Sequence, residues 1–168
     1  MDNCVFTSAG NNPSLSIFNN VGKSFYYVGQ YKILDIGGVV WEITNGGQNG
    51  AIISMDESTI GRASADSWCS DHGSGWGLPS VEMLQVIYKN KMLVNNTLLA
   101  LTCQILNGNY WASDVTKKNT SNTRCSYYWY YVSMGSGKSN YDYVEGLIAN
   151  GIQYPSSYAR PTRATRHF

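Results

Sequence analysis

Charge is scarce in this 168-residue chain: 14% of residues carry it and the formal net charge is +1. Such a balance supplies no electrostatic footprint for nucleic acid or an anionic membrane. Histidine is scarcer still, with only His72 and His167, the second beside the last residue. No run of 18 apolar residues occurs, so no membrane-spanning helix is expected. The four cysteines, Cys4, Cys69, Cys103 and Cys125, form no C-x-x-C pair and no close Cys/His cluster, which argues against a structural zinc site. Their even number permits two disulfides, but a chain of this length buries a core without them, and free thiols are the equal alternative. "MDNCVFTSAG" has no basic segment ahead of an apolar one, so no signal peptide is expected. Either the protein stays inside a cell or particle, or the chain begins after a leader.

Familiar catalytic phrases are also missing on close inspection. "MGSGKSN" (134–140) approaches a phosphate-binding loop, but Val132 stands where that loop needs glycine, and no helical pattern follows. It reads as a hairpin turn. "DHGSGWG" (71–77) approaches a nucleophile elbow, but His72 stands where glycine is required. It reads as a loop that places Trp76 against a helix. Asp56, Glu57, Asp66 and Asp71 could gather around calcium, yet their spacing fits no EF-hand, and the expectation is an ordinary acidic loop. The sequons at Asn95 and Asn119 matter only in a secretory eukaryotic setting. No metal and no cofactor is expected.

What the chain has instead is glycine, seventeen residues, and tyrosine, thirteen. Residues 1–24 are polar and turn-rich and read as an extension or linker, with one domain over 25–168. "FYYVGQYKI" and "GGVVWEI" read as strands, and 39–55 as a hairpin around the Asn-Gly and Gly-Gly signals of "TNGGQNG". Residues 56–77 read as a loop. A helix follows, with Ser80 as N-cap, Glu82 in its first turn, and Val81, Leu84 and Tyr88 at helical spacing. "LVNNTLLALTC" predicts a second, shorter helix after the break at "KNK", and strand-and-turn chemistry runs from Asn107 onward. Strands, two helices, then many strands define an α+β domain.

The densest feature is "RCSYYWYYVSMGSGKSNYDY" (124–143), with six tyrosines and a tryptophan among serine, glycine, asparagine and aspartate. Antibody combining loops use this palette, with rigid Tyr and Trp for contact area and small polar residues for adaptable hydrogen bonds. Strand alternation puts Tyr128, Tyr130, Val132 and Met134 on one face and Tyr127, Trp129, Tyr131 and Ser133 on the other. Val132 and Met134 nominate the first face as core, which leaves Tyr127, Trp129 and Tyr131 as an exposed patch. Such a patch serves binding, unless the N-terminal extension or a neighbouring subunit covers it.

In order, "GVVWEI…NGAIISMDE…GWGLPSVEMLQVIYKNKMLVNNTLLAL…NGNYWASD…YARPTRATRHF" resembles the C-type-lectin-like domains common in gut Bacteroides and their phages. The resemblance covers about residues 25–168, and "WGLPS", "YWAS" and "ARPTR" carry it together. It implies two helices packed on a twisted antiparallel sheet. Within that family the chain most resembles the variable proteins of diversity-generating retroelements, in which adenine-directed error turns AAC codons into any NNC codon. The implied variable segment is about 107–158. The implied ligand face includes Asn109, Asp114, Asn122, Arg124, Tyr127, Tyr128, Tyr131, Asn140, Tyr141, Asp142, Tyr143, Ser156 and Ser157. Trp111 and Trp129, which this route cannot produce, are implied to be scaffold or fixed by the template. "YWYYV" stands where the family has "AW-V", and a slip of one residue there exchanges the two faces.

The resemblance implies a non-enzymatic receptor-binding or adhesion domain facing a protein or glycan, on a phage tail or a bacterial surface, with homo-oligomerisation open. The motifs of calcium-dependent lectins are absent, and no cysteine sits in a phrase of the related formylglycine-generating enzymes. A structural subunit that buries its aromatic face between protomers is the alternative, with such an enzyme the remoter one.

Overall fold

The computed structural model describes residues 26–32, 37–119, 124–147 and 158–168, without the side chains of 119, 124 and 145–147. In chain order the elements are β1 (Tyr31–Lys32), β2 (Gly38–Thr44), β3 (Asn49–Ser54), β4 (Ser58–Gly61), α1 (Arg62–Ser70), α2 (Val81–Lys89) and α3 (Lys91–Ala100). Then follow β5 (Asn109–Asn119), β6 (Arg124–Ser133), β7 (Ser139–Leu147), β8 (Ala159–Thr162) and β9 (Thr165–His167). The domain is α+β. Its described strands pair antiparallel in three sheets, ordered β1-β2-β3-β9, β4-β8 and β5-β6-β7, rather than in the single sheet expected. The expected extension, 1–24, lies outside the described residues.

The β2–β3 hairpin forms as read, with Thr44 opposite Asn49 across a short 3-10 turn at Asn45–Gly47. Away from the turn its strands are largely apolar because both faces are covered there, whereas Ile43, Thr44 and Asn49 beside the turn are exposed. Val39, Trp41 and Ile53 pack with Leu84, Ile87, Val94 and Leu98 of the helices, and with Tyr110, Val132 and Met134. Val40 and Ile52 point the other way, into a second cluster with Ala65, Cys69, Trp76, Trp111, Trp129 and Val144. Burying each large apolar side chain contributes about 1.5–3 kcal/mol, so these two clusters hold the domain together.

Helix α2 starts where expected: Ser80 Oγ accepts from the Met83 N–H at 3.2 Å, and Leu84 and Ile87 face the core. The break in "KNK" narrows to Asn90, whose side-chain amide donates to the Trp41 carbonyl at 2.9 Å. Helix α3 therefore begins at Lys91, two residues before the expected start, and ends at Ala100. Asn95 of the first sequon is engaged through both side-chain atoms with the backbone of Leu106.

Two expectations fail. "FYYVGQYKI" supplies only the two-residue β1 among its described residues, because the chain turns at Gly29, with φ +87°, before reaching β2. Residues 56–77 are no simple loop, since they contain β4 and α1. Helix α1 escapes pattern reading because its buried positions are Arg62, Ala65 and Cys69, two of them small and one charged. Gly61 also gives no side-chain cap to mark its start.

Candidate ligand-binding face

Strands β5, β6 and β7 are the longest among the described residues and pair in one sheet. Tyr128 stands opposite Thr116 and Tyr143, and Tyr130 opposite Tyr141, so all five share one face. Here the rings form a lattice. Tyr128 meets Tyr141 edge-on at 5.1 Å and Tyr143 at 5.4 Å, and Tyr130 meets Tyr141 at 5.9 Å. Such contacts contribute about 0.5–1.5 kcal/mol each beyond area burial and fix the rings relative to one another. Two phenols are tied down further: Tyr130 bonds with the Thr116 hydroxyl at 3.3 Å and Tyr143 with that of Ser126 at 3.2 Å. The Lys118 ammonium lies 5.3 Å from the Tyr128 ring centre. Tyr141 and Tyr143 remain 49% and 47% exposed, so the lattice is a surface and not a core.

This reverses the expected assignment of faces. Trp129 is 5% exposed, and Tyr127 and Tyr131 are half-buried against the second cluster, whereas Tyr128 lies on the open side. Val132 and Met134 do belong to the core, as read, but they mark only the end of that face nearest the helices. Beyond Tyr130 the same face leaves the core. Trp111 and Trp129 are both buried, so Trp129 is no part of an exposed patch.

On the back face β8 supplies the fastening. The Arg160 guanidinium holds Asp142 through both carboxylate oxygens at 2.8–3.2 Å. It also lies 3.7 Å from the Tyr131 ring centre and 5.0 Å from that of Trp111. The other phrases behind the resemblance are structural too. Trp111 Nε1 donates to the Ile60 carbonyl at 2.9 Å. Arg163 is 1% exposed, donates to Glu57 at 3.0 Å and to the carbonyls of Ser54 and Met55 at 2.7 and 2.8 Å, and also to the Gln104 carbonyl. Tyr110 donates its hydroxyl to the same Glu57 carboxylate, and burial followed by that hydrogen bond pushes the phenol pKa far up.

The thirteen expected ligand residues therefore separate. Tyr128, Tyr141 and Tyr143 come together on the front. Tyr127, Tyr131, Asn140 and Asp142 belong to the back by register. Asn109 pairs with Ser133 at the far end of the sheet, beside the 134–137 turn. Asp114 sits in the bulge between Trp111 and Val115, and its carboxylate accepts the Val81 N–H at the start of α2, 2.6 Å away. Arg124 is placed by its backbone at the start of β6, and Asn122, Ser156 and Ser157 lie outside the described residues. Sequence reasoning missed Thr116, Ser126, Lys118 and Tyr130 as members of the front. The period-two repeat that puts Tyr141 with Tyr143 in "SNYDY" carried the signal for that side.

Away from this sheet, His72 is fastened at both ring nitrogens. Nδ1 donates to the Trp68 carbonyl at 3.0 Å, and Nε2 faces both Asp56 oxygens at 3.0 and 3.1 Å. The Asp56 hydrogen bond raises the His72 pKa above its ordinary 6.5, against the opposing effect of burial. Burial pushes Asp56 up, but the hydrogen bond and charge of His72 outweigh it, and the net shift is below 3.8. The His72 contribution to stability is thus complete below pH 6.5 and lost as pH rises through its raised value; that of Asp56 is complete above pH 3.8 and lost as pH falls through its lowered value. An NMR titration should place His72 above 6.5, and Asp56→Asn should bring it back down. The stability advantage of the wild type over Asp56→Asn should fade as pH rises through the His72 value.

Cys69, the nearest thiol in sequence, is a poor nucleophile. Burial first, and then the charge of Asp66, pushes its pKa up to about 12. Among the described residues no three His, Cys, Asp or Glu side chains gather for a metal, and no helix is long and apolar enough to cross a membrane. Compared with known proteins, the chain matches no family model and no curated protein.

Proposed function

We propose that this chain is a non-enzymatic ligand-binding domain with a C-type-lectin-like fold, whose working surface is the tyrosine lattice on the front of β5–β7. One observation carries the reading: Tyr128, Tyr130, Tyr141 and Tyr143 interlock on an open face while the back of the same strands is bolted to β8. A binding face gains affinity when its contact groups are ordered before the ligand arrives, because less rotamer freedom is lost on association. Here edge-on rings and the hydroxyls of Thr116 and Ser126 do that ordering. The raised pKa and burial of Cys69 speak against a thiol enzyme of the formylglycine type.

The sequence resemblance adds that the face is diversified by a retroelement and carried on a phage tail or a bacterial surface, toward a protein or glycan. Deep sequencing of the gene across a population of its source tests this. Substitutions of the NNC type should accumulate at Tyr128, Tyr141 and Tyr143, with Trp111, Trp129, Glu57 and Arg163 unchanged. A 107–158 segment no more variable than the rest would reduce the face to a fixed site for one ligand, or to a contact between subunits.

A further inference from the structure

Helix α3 is apolar on both sides. Val94 and Leu98 are buried in the core, yet Met92, Leu93 and Leu99 on the outer side are 78%, 51% and 67% exposed. Exposed Asn96 and Ala100 complete that outer face. It carries no charge, and from Met92 to Ser113 the chain has no acid, lysine, arginine or histidine. Lys91, the one charged residue of the helix, is turned inward and donates to the Met134 carbonyl. Asn95 and Thr97 are committed within the domain too, Asn95 to the Leu106 backbone and Thr97 to the Gly29 carbonyl. A helix that is apolar all round belongs in an interior. Among the described residues nothing covers the outer side of this one.

The order of residues on that side points to its occupant. Positions 92, 93, 96, 99 and 100 are spaced symmetrically about Asn96, three and four residues to either side. Two such helices packed antiparallel about a twofold axis put Met92 of one copy opposite Leu99 of the other. Leu93 then meets Ala100, large against small, and Asn96 meets Asn96 on the axis. Each amide has both a donor and an acceptor, so the two can pair reciprocally. One polar residue inside an apolar seam also fixes its register. Being uncharged, the face meets itself without like charges in opposition and offers an ionic partner nothing to pair with. We infer that a second copy of this chain docks here through an antiparallel α3–α3 contact, with the same patch used on both copies.

The contact is small. At 1.5 Å per residue α3 is about 15 Å long, although exposed Tyr27 widens the patch where the turn at Gly29 rests against Leu93. Interfaces of about 1,600 Å² range from micromolar to picomolar, so this smaller one should have a Kd on the order of 100 μM. The tyrosine lattice takes no part in it, and the two readings can fail separately.

Sedimentation equilibrium of the full chain, from about 5 μM to about 1 mM, should show the mass rising from monomer toward dimer across that Kd. Leu93→Glu with Leu99→Glu should weaken association at least about tenfold, because like charges then meet in one small contact. Both positions are exposed, and thermal melts confirm that the variant folds as the wild type does. Register is read by disulfide trapping in a Cys4→Ser background, where the described thiols, Cys69, Cys103 and Cys125, are buried. Asn96→Cys should link to itself under mild oxidation. Met92→Cys should link to Leu99→Cys in a mixture more readily than to itself.

A wild type that stays monomeric at 1 mM overturns the inference, leaving the face to another protein. So does a glutamate variant that melts lower while the wild type shows no dimer, since the face is then covered from within the chain. Association that survives the glutamates but is lost with Tyr128→Ser and Tyr141→Ser places the contact on the lattice instead, and overturns the inference as well. Preferred linkage of Met92→Cys to itself overturns the antiparallel register.

Discussion

Replacing Arg163 by leucine is expected to destabilise the domain by about 3–5 kcal/mol, the usual cost of breaking a buried ion pair by removing one partner. The guanidinium is fully enclosed and answers Glu57 together with the carbonyls of Ser54, Met55 and Gln104. Leucine fills part of the space but leaves a buried carboxylate and three carbonyls without that donor. Among the described residues Tyr110 then remains as a donor to Glu57. For a domain of this size the loss corresponds to a fall of roughly 6–20 °C in the melting midpoint, readable by calorimetry. Glu57→Gln should cost less, because a neutral amide can keep one bond to Arg163 and one to Tyr110. Two variants of equal cost would mean that the pair contributes through packing and not through charge.

Gly137→Ala is the second large effect, at about 2–4 kcal/mol. Gly137 has φ +70°, and a Cβ there would run into the Tyr88 ring of α2. The ring cannot easily retreat, since it packs on the core and carries the Lys91 ammonium 5.5 Å from its centre. Lys91 itself donates to the Met134 carbonyl at the start of the same turn, 2.5 Å away. Chemical denaturation should show the loss as a lower midpoint with an unchanged slope. Gly135→Ala, where φ is not positive and the nearest foreign atom, Ser133 Oγ, is 3.5 Å away, is the mild control. Within the phrase that imitates a phosphate loop, it is therefore Gly137 that the pressing helix side chain requires, and not Gly135.

These examples show what kind of information lay open in the chain. The β2–β3 hairpin, α2 with its Ser80 cap and the β6–β7 turn were legible because local chemistry dictates them. Helix α1 was not, since its fully buried side chains, Ala65 and Cys69 beside Arg62, include no large apolar residue to mark the inward face. The faces of β6 were misread for a different reason. Alternation correctly separates Tyr128 from Trp129, but which side is covered at each point depends on what packs there. The core covers the front at Val132, and β8 and the second cluster cover the back at Trp129. A strand that leaves the core partway along its length changes its buried side, and no periodicity within one strand records that.

The clasp between Arg160 and Asp142 bears on how this surface could be reprogrammed. Asp142 lies between Tyr141 and Tyr143 in the chain but points away from them, so neighbouring codons of β7 specify two separate things. If the lattice is the binding face proposed above, positions 141 and 143 write its specificity, whereas position 142 holds the sheet to β8 behind it. A combinatorial library on this scaffold that varies the three together would spend most of its members on loosened sheets. One that keeps Asp142 and Arg160 constant, and varies only the alternate positions, samples new specificities on an unchanged chassis.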